Sequence, residues 1–204
     1  MEAPTNTAPK AAQLAWPVPP EGGWTADDLD RLPNLPAHTQ LIDASLVLPC
    51  PQSVFHERTM SFFGREFGSA APPELEALCR FTVDIDRQNR PETDVAVVRS
   101  DALSSDDQTR VPAMAVVLAV EVVDPDSVSR DRETKPLKYA RAKIPYYWRV
   151  ENENGRAAVH AFELEPTTGA YTSVGIFRER MKVDTPFSVD PDLTRIRTRH
   201  GGGR

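Results

Sequence analysis

The sequence predicts a mixed α/β (α+β) domain, a buried β-sheet core flanked by helices and continued by a C-terminal antiparallel β extension. Three observations carry this expectation. Residues 116–123, Val-Val-Leu-Ala-Val-Glu-Val-Val, form a short, continuously apolar, β-branched run that reads as a strand buried on both faces. Helical patterns lie on either side of it, one after Ser53 and one ending near Ala142. Downstream, Asn154-Gly155 and Gly169 separate β-rich runs at hairpin spacing.

Composition bounds the rest. With 204 residues and 40% hydrophobic content the chain can bury one real core, and a second full domain would be cramped. The expected organisation is a flexible Pro/Ala-rich leader over 1–22, a folded domain over 23–197 and a loose tail over 198–204. A net charge of −6 supplies no global attraction for nucleic acid or an anionic membrane, so any polyanion needs a local basic patch. Cys50 and Cys79 show no metal-ligand spacing and fit a reducing cytosol. No apolar run approaches the roughly 18 residues of a membrane span and the N-terminus lacks a signal pattern, so a cytoplasmic protein without a membrane partner is expected.

Taken in order, Thr25 is an N-cap candidate for a short helix with acids in its first turn, closed by Pro33. Gln40 to Leu48 reads as two short strands about a tight turn, where Ala44 would be strained at positive φ. Ser53 caps a helix to about Phe67 with Phe55, Met60, Phe63 and Phe67 on its apolar face, and His56 reads as a surface or half-buried position. Phe81 to Asp86 alternates as a half-exposed strand, a polar turn follows over 87–90, and the Pro91 to Val98 run starts the next strand. After the central strand, Pro136 is tolerated only in a first turn, so the regular helix should begin no earlier than about Glu133. Leu137, Tyr139 and Ala140 form its expected buried face, and Lys138, Arg141 and Lys143 its solvated one. Tyr146 to Val150 returns as a strand, and Met181–Val183 with Phe187–Val189 reads as a last pair of short strands.

One residue breaks the apolar logic of the central strand. An ionised Glu121 in a buried strand needs a partner or a cation, because an unpaired buried charge costs several kcal/mol or more. Asp94 enters the core on the neighbouring strand, and two buried carboxylates side by side repel unless a divalent cation lies between them. The pair therefore points to a metal site. The alternative is that Asp94 caps a turn and Glu121 pairs with a core arginine. Lys135, at the expected helix start, faces back toward the strand ends.

The ordered set Leu41-Ile42-Asp43, a helix with His56, Arg90-Pro91-x-x-Asp94-Val-x-Val-Val, Val120-Glu121-Val-Val-x-Pro-x-Ser127, Asp131-Arg-x-x-Lys135-x-x-x-Tyr139-Ala and Ile144-Pro-x-Tyr-Trp148 resembles the Uma-two family of restriction endonucleases, in the PD-(D/E)XK nuclease-like superfamily. The resemblance covers about residues 25–195. It implies a restriction-endonuclease-like sheet in which Asp94 and Glu121 meet at a common edge. It also implies that Lys135 takes the place of the superfamily lysine, since Val123 stands at that lysine's usual position. The implied activity is metal-dependent hydrolysis of DNA phosphodiesters: Asp94, Glu121 and the Val122 carbonyl would hold Mg²⁺ or Mn²⁺, and Lys135 would orient the attacking water or stabilise developing charge. Arg130, Arg132 and Lys138 are the candidate contacts to DNA phosphates, with Arg141 beside them, although a solvated helix face explains them equally well. Two departures bear on activity. Gln40 stands where the family carries a glutamate that completes the site, and Ala44 replaces the turn glycine. A second expectation follows, a catalytically impaired relative that binds nucleic acid or a protein, as a homodimer through the β extension.

Overall fold

The computed structural model describes residues 17–196. Most of the expected leader and the whole of the expected tail lie outside them. The sheet has seven strands in the order β5-β3-β4-β6-β7-β8-β9: β3 Leu75–Asp84, β4 Glu92–Arg99, β5 Arg110–Pro112, β6 Val116–Val122, β7 Tyr146–Glu153, β8 Arg156–Glu165 and β9 Ala170–Phe177. The apolar run of the sequence, β6, is therefore the middle strand. It pairs antiparallel with β4 and parallel with β7. β3 runs antiparallel to β4 and parallel to β5, while β7, β8 and β9 form the antiparallel extension. Parallel pairing of β6 and β7 requires a crossover, and helix α3, Lys135–Arg141, supplies it.

Alternation along the central strands divides the core in two. Val120 and Val122 of β6 and Trp148 of β7 pack under helix α2, Val54–Ala70, with Phe55, Phe63 and Phe67. Ala119 and Tyr147 instead share the opposite face with Tyr139 and Ile144. The α2 side owes its width to aromatic side chains: the Trp148 ring meets the Phe63 and Phe67 rings at centroid distances of 6.4 and 5.5 Å.

The N-terminal part folds against one end of this sheet. Helix α1, Ala26–Arg31, starts with a capping box in which Thr25 and Asp28 satisfy each other's main-chain N–H groups. Strands β1 Gln40–Ile42 and β2 Ser45–Val47 form the expected hairpin, with Asp43 and Ala44 at φ 48° and 60°. Reciprocal main-chain bonds between Leu41 and Arg90, at 3.1 and 2.7 Å, fasten the hairpin to the start of β4.

Three expectations need correction, and one turn is new. Helix α2 continues to Ala70, beyond Phe67. A π-helical turn over Arg130–Thr134, which the sequence did not announce, leads into α3, while the regular helix itself starts at Lys135, within the expected bound and with Pro136 in its first turn. Leu137 is 60% exposed, because the buried stripe of α3 runs through Lys135 and Tyr139. The final strand pair amounts to isolated bridges, Val183 with Val189 and Arg180 with Asp192.

Candidate active site

The β4–β6 ladder ends at the pair Val95–Val120. One residue further the Asp94 side chain replaces a main-chain acceptor: its Oδ2 takes the Val122 N–H at 2.7 Å. Alternation puts Glu121 on the same face as Ala119, toward α3, and there it is 1% exposed. Its charge is met from α3. Lys135 Nζ donates to Glu121 Oε2 at 2.7 Å and to the Glu92 carbonyl at 2.9 Å, and the Tyr139 hydroxyl donates to Glu121 Oε1 at 2.6 Å. Asp131 lies one helical turn before Lys135, 3.7 Å from Nζ and also buried. The partner of Glu121 is thus a lysine and a tyrosine, where the alternative expectation named an arginine, and Asp94 holds a strand end where that expectation had it cap a turn.

Electrostatics follow from this packing. Burial drives the Glu121 carboxyl well above the usual carboxylate range, and Lys135 pulls it partly back. Burial acts on Lys135 in the opposite sense, yet Glu121, Asp131 and Asp94 outweigh it and hold the ammonium charged above the ordinary lysine value. Asp131 and Glu92 are both raised, chiefly by burial.

The second wall comes from α2. Ser53 caps the helix by accepting the His56 N–H at 3.1 Å and donates to Asp124 Oδ1 at 2.6 Å, which pins the helix start to the end of β6. His56 is only 2% exposed, so the surface or half-buried reading does not hold. Its Nε2 lies 3.1 Å from Asp94 Oδ2, and its Nδ1 is buried with no hydrogen-bond partner among the described residues. Desolvation lowers the affinity of this imidazole for a proton, but the neighbouring Asp94 reverses the sign and the net shift is upward.

These walls enclose a pocket of about 330 Å³. Asp94, Glu121, Lys135, Gln40, Val122 and Arg130 all line it, together with His56, Glu92 and Asp131. Gln40 enters from β1, and its Oε1 accepts the Glu92 N–H at 3.1 Å. The fold does not bring Arg132 and Lys138 to this pocket. Arg132 makes a two-bond pair with Glu151, at 3.1 and 2.5 Å, on the far side of α3. Lys138, expected to be solvated, is largely covered and paired with Asp43. His56, Asp131 and Tyr139 are the site residues that sequence reasoning left out. For the last two a signal existed, since they stand four residues before and after Lys135 and so share its helix face.

The pocket carries seven carboxylates (Glu57, Glu92, Asp94, Glu121, Asp124, Asp126, Asp131) against three fixed cations, Arg80, Arg130 and Lys135. Among the described residues no group of three or more His, Cys, Asp or Glu side chains is gathered closely enough to enclose an ion by itself. The donor chemistry nevertheless suits a hard divalent cation. Each carboxylate oxygen has two lone pairs, and each Glu121 oxygen accepts a single hydrogen bond. No helix among the described residues is long and apolar enough to cross a membrane.

A family model described as Uma2, putative restriction endonuclease, matches residues 26–194. Among solved structures, a putative nuclease belonging to DUF820 from Anabaena variabilis superposes with a TM-score of 0.66 at 15% identity, over 84% of this chain and 96% of that one. That likeness shows a shared fold. Apo NucC from E. coli aligns with a TM-score of 0.35 at 10% identity, over 58% of this chain and 78% of that one. NucC from P. aeruginosa in a cAAA-bound form aligns with a TM-score of 0.32 at 11% identity, over 64% and 85%. No curated protein matches the chain.

Proposed function

The chain belongs to the Uma2 family, whose members are described as putative restriction endonucleases, and on that premise we propose that it is a metal-dependent DNA endonuclease with Asp94, Glu121 and Lys135 as its catalytic set. The observation that carries the proposal is the buried Glu121–Lys135 pair beside Asp94 at the open end of the central strands. Burying a charge pair is costly and its replacement by apolar residues is often neutral or better for stability. Placing this one at the edge of an acid-lined pocket serves chemistry more readily than folding.

Asp94 and Glu121, with the Val122 main chain beside them, would hold Mg²⁺ or Mn²⁺. The ion would supply charge neutralisation at a phosphodiester and a more acidic bound water. Without such a charge the pocket's excess of carboxylates would repel a phosphate. Lys135, kept charged by its carboxylate neighbours, places a fixed cation within the same pocket, where it offsets charge as it builds on phosphorus. Its two short bonds to Glu121 and to the Glu92 carbonyl hold that ammonium in one place before substrate arrives. Arg130, at the pocket wall, is the remaining candidate for a phosphate contact among those first expected.

Gln40 favours a second reading, an impaired nuclease that binds without cutting. Its carboxamide oxygen is occupied by the Glu92 N–H, and it lacks the charge of the family's glutamate. Cleavage of supercoiled plasmid with Mg²⁺ or Mn²⁺ separates the two. Activity lost in Glu121→Ala and Lys135→Ala and raised in Gln40→Glu supports a nuclease weakened at one ligand. Activity appearing only in Gln40→Glu supports the binding role, and four inert proteins under excess metal and DNA would remove the catalytic proposal.

A further inference from the structure

A chain of net charge −6 needs a local basic surface to retain a polyanion. The structure carries one away from the positions on α3. Arg58 and Arg65 lie seven residues apart on α2, hence on one face and about 10 Å apart along its axis, a rise comparable to three phosphates of one DNA strand. With Arg195 they line a depression of about 620 Å³. This depression shares Gln52 and Glu57 with the carboxylate pocket, so the two adjoin.

The arginines are placed to receive anions. All three are exposed, and Arg65 makes no ion pair among the described residues. Arg195 meets Glu66 at 3.0 Å, but at 60% exposure solvent screens the pair and a phosphate can displace it. The Phe62 ring lies 5.7 Å from the Arg195 guanidinium, and both side chains line the depression. Arg132 and Lys138 pair with Glu151 and Asp43 and lie outside this depression.

Resting on the nuclease reading, we infer that the outer face of α2 is the substrate track: Arg58, Arg65 and Arg195 hold the phosphates of duplex DNA flanking the bond that enters the pocket. The track supplies the positive charge that the pocket itself lacks, and it reads no base sequence.

The test is the salt dependence of binding to a labelled DNA duplex, measured by fluorescence anisotropy in EDTA so that no bond is cut. The proteins compared are the wild-type chain, the triple variant Arg58→Gln/Arg65→Gln/Arg195→Gln and the control Arg132→Gln/Lys138→Gln. Three lost phosphate contacts should flatten the slope of log K against log salt by about 2.7, so that between 50 and 200 mM salt the wild type loses roughly 40-fold more affinity than the triple variant. The control should keep the wild-type slope, and the wild type and the triple variant should melt alike, since Arg58, Arg65 and Arg195 are exposed. Equal slopes in wild type and triple variant, or a flattened slope in the control instead, would overturn the track and leave the nuclease reading standing. A wild type with no affinity for the duplex at 50 mM salt would likewise overturn the track, whereas the nuclease reading is decided by the metal-dependent cleavage assay, and tighter binding of an RNA duplex would overturn the assignment to DNA.

Discussion

Ala44 sits at φ 60° and Asp43 at φ 48° in the β1–β2 turn. A side chain in that region costs about 1–2 kcal/mol, which is why glycine is the usual occupant. Tertiary bonds hold the strained residue in place: Ala44 N–H donates to the Gln88 carbonyl at 3.0 Å, and its own carbonyl accepts the Trp24 N–H at 2.7 Å. Those bonds also carry β1, and with it Gln40, to the pocket. Because they are main-chain bonds they survive substitution, and Ala44→Gly should stabilise the protein by about 1 kcal/mol after allowing for the freer unfolded chain. Thermal unfolding should then show a midpoint about 2–4 °C higher; an unchanged or lower midpoint would mean that the turn stores no strain. At the same scale, Glu121 and Gln40 illustrate what a single residue reveals. A carboxylate in an apolar strand announces its own need for a partner, whereas a glutamine at a strand start looks ordinary, and the resemblance to a family is what marks it.

Helix α3 owes its position to three tyrosine hydroxyls more than to its short apolar face. Tyr139 donates to Glu121, Tyr147 to the Asp131 carbonyl at 2.5 Å, and Tyr171 to the Ile144 carbonyl at 2.8 Å. Their rings also touch, with Tyr147 5.9 Å from Tyr139 and 5.6 Å from Tyr171 between centroids. Burial raises all three phenols above the ordinary tyrosine value. Such groups favour the folded state fully below about pH 10, where they are neutral in both states, and that contribution is lost as pH rises toward their raised folded values. Stability should therefore fall steeply above pH 10. Phenolate absorbance from these residues should appear only with unfolding, while Tyr146, less deeply buried, titrates earlier. Following ultraviolet absorbance and far-ultraviolet circular dichroism through one alkaline titration checks this, and two or more phenolates in a still-folded protein would contradict it. At this scale the sequence anticipated the element and its start and missed the π-helical turn that leads into it. Pro136 gave a sound bound on regular helix, but the π-helical turn before it depends on where β6 ends and how far Lys135 must reach.

For the whole molecule, the decisive property is a charge distribution that runs against itself: a carboxylate pocket joined to an arginine-lined face on an acidic protein. If Asp94 and Glu121 hold a cation, binding must stabilise the fold by mass action, by about 2.7 kcal/mol at one hundred times the dissociation constant. Mn²⁺ should then raise the melting midpoint by roughly 5–10 °C in the wild type and leave Glu121→Gln nearly unmoved. An equal rise in both would place the cation elsewhere. The sequence alone determined the helices, the hairpin turns and most strands, though not β5 or the first residues of β3, because periodicity, caps and turn residues act over a few neighbours. It also flagged Asp94 and Glu121, because buried charge in an apolar run is a local contradiction, while the resemblance to a family marked Lys135. Only the tertiary structure decided that His56 is buried against Asp94 and that Arg132 and Lys138 are occupied by Glu151 and Asp43. It likewise decided that the exposed arginines of α2 adjoin the pocket. A side chain's partners across the sheet are set by which strands become neighbours and where their ladders end, and no local pattern encodes that.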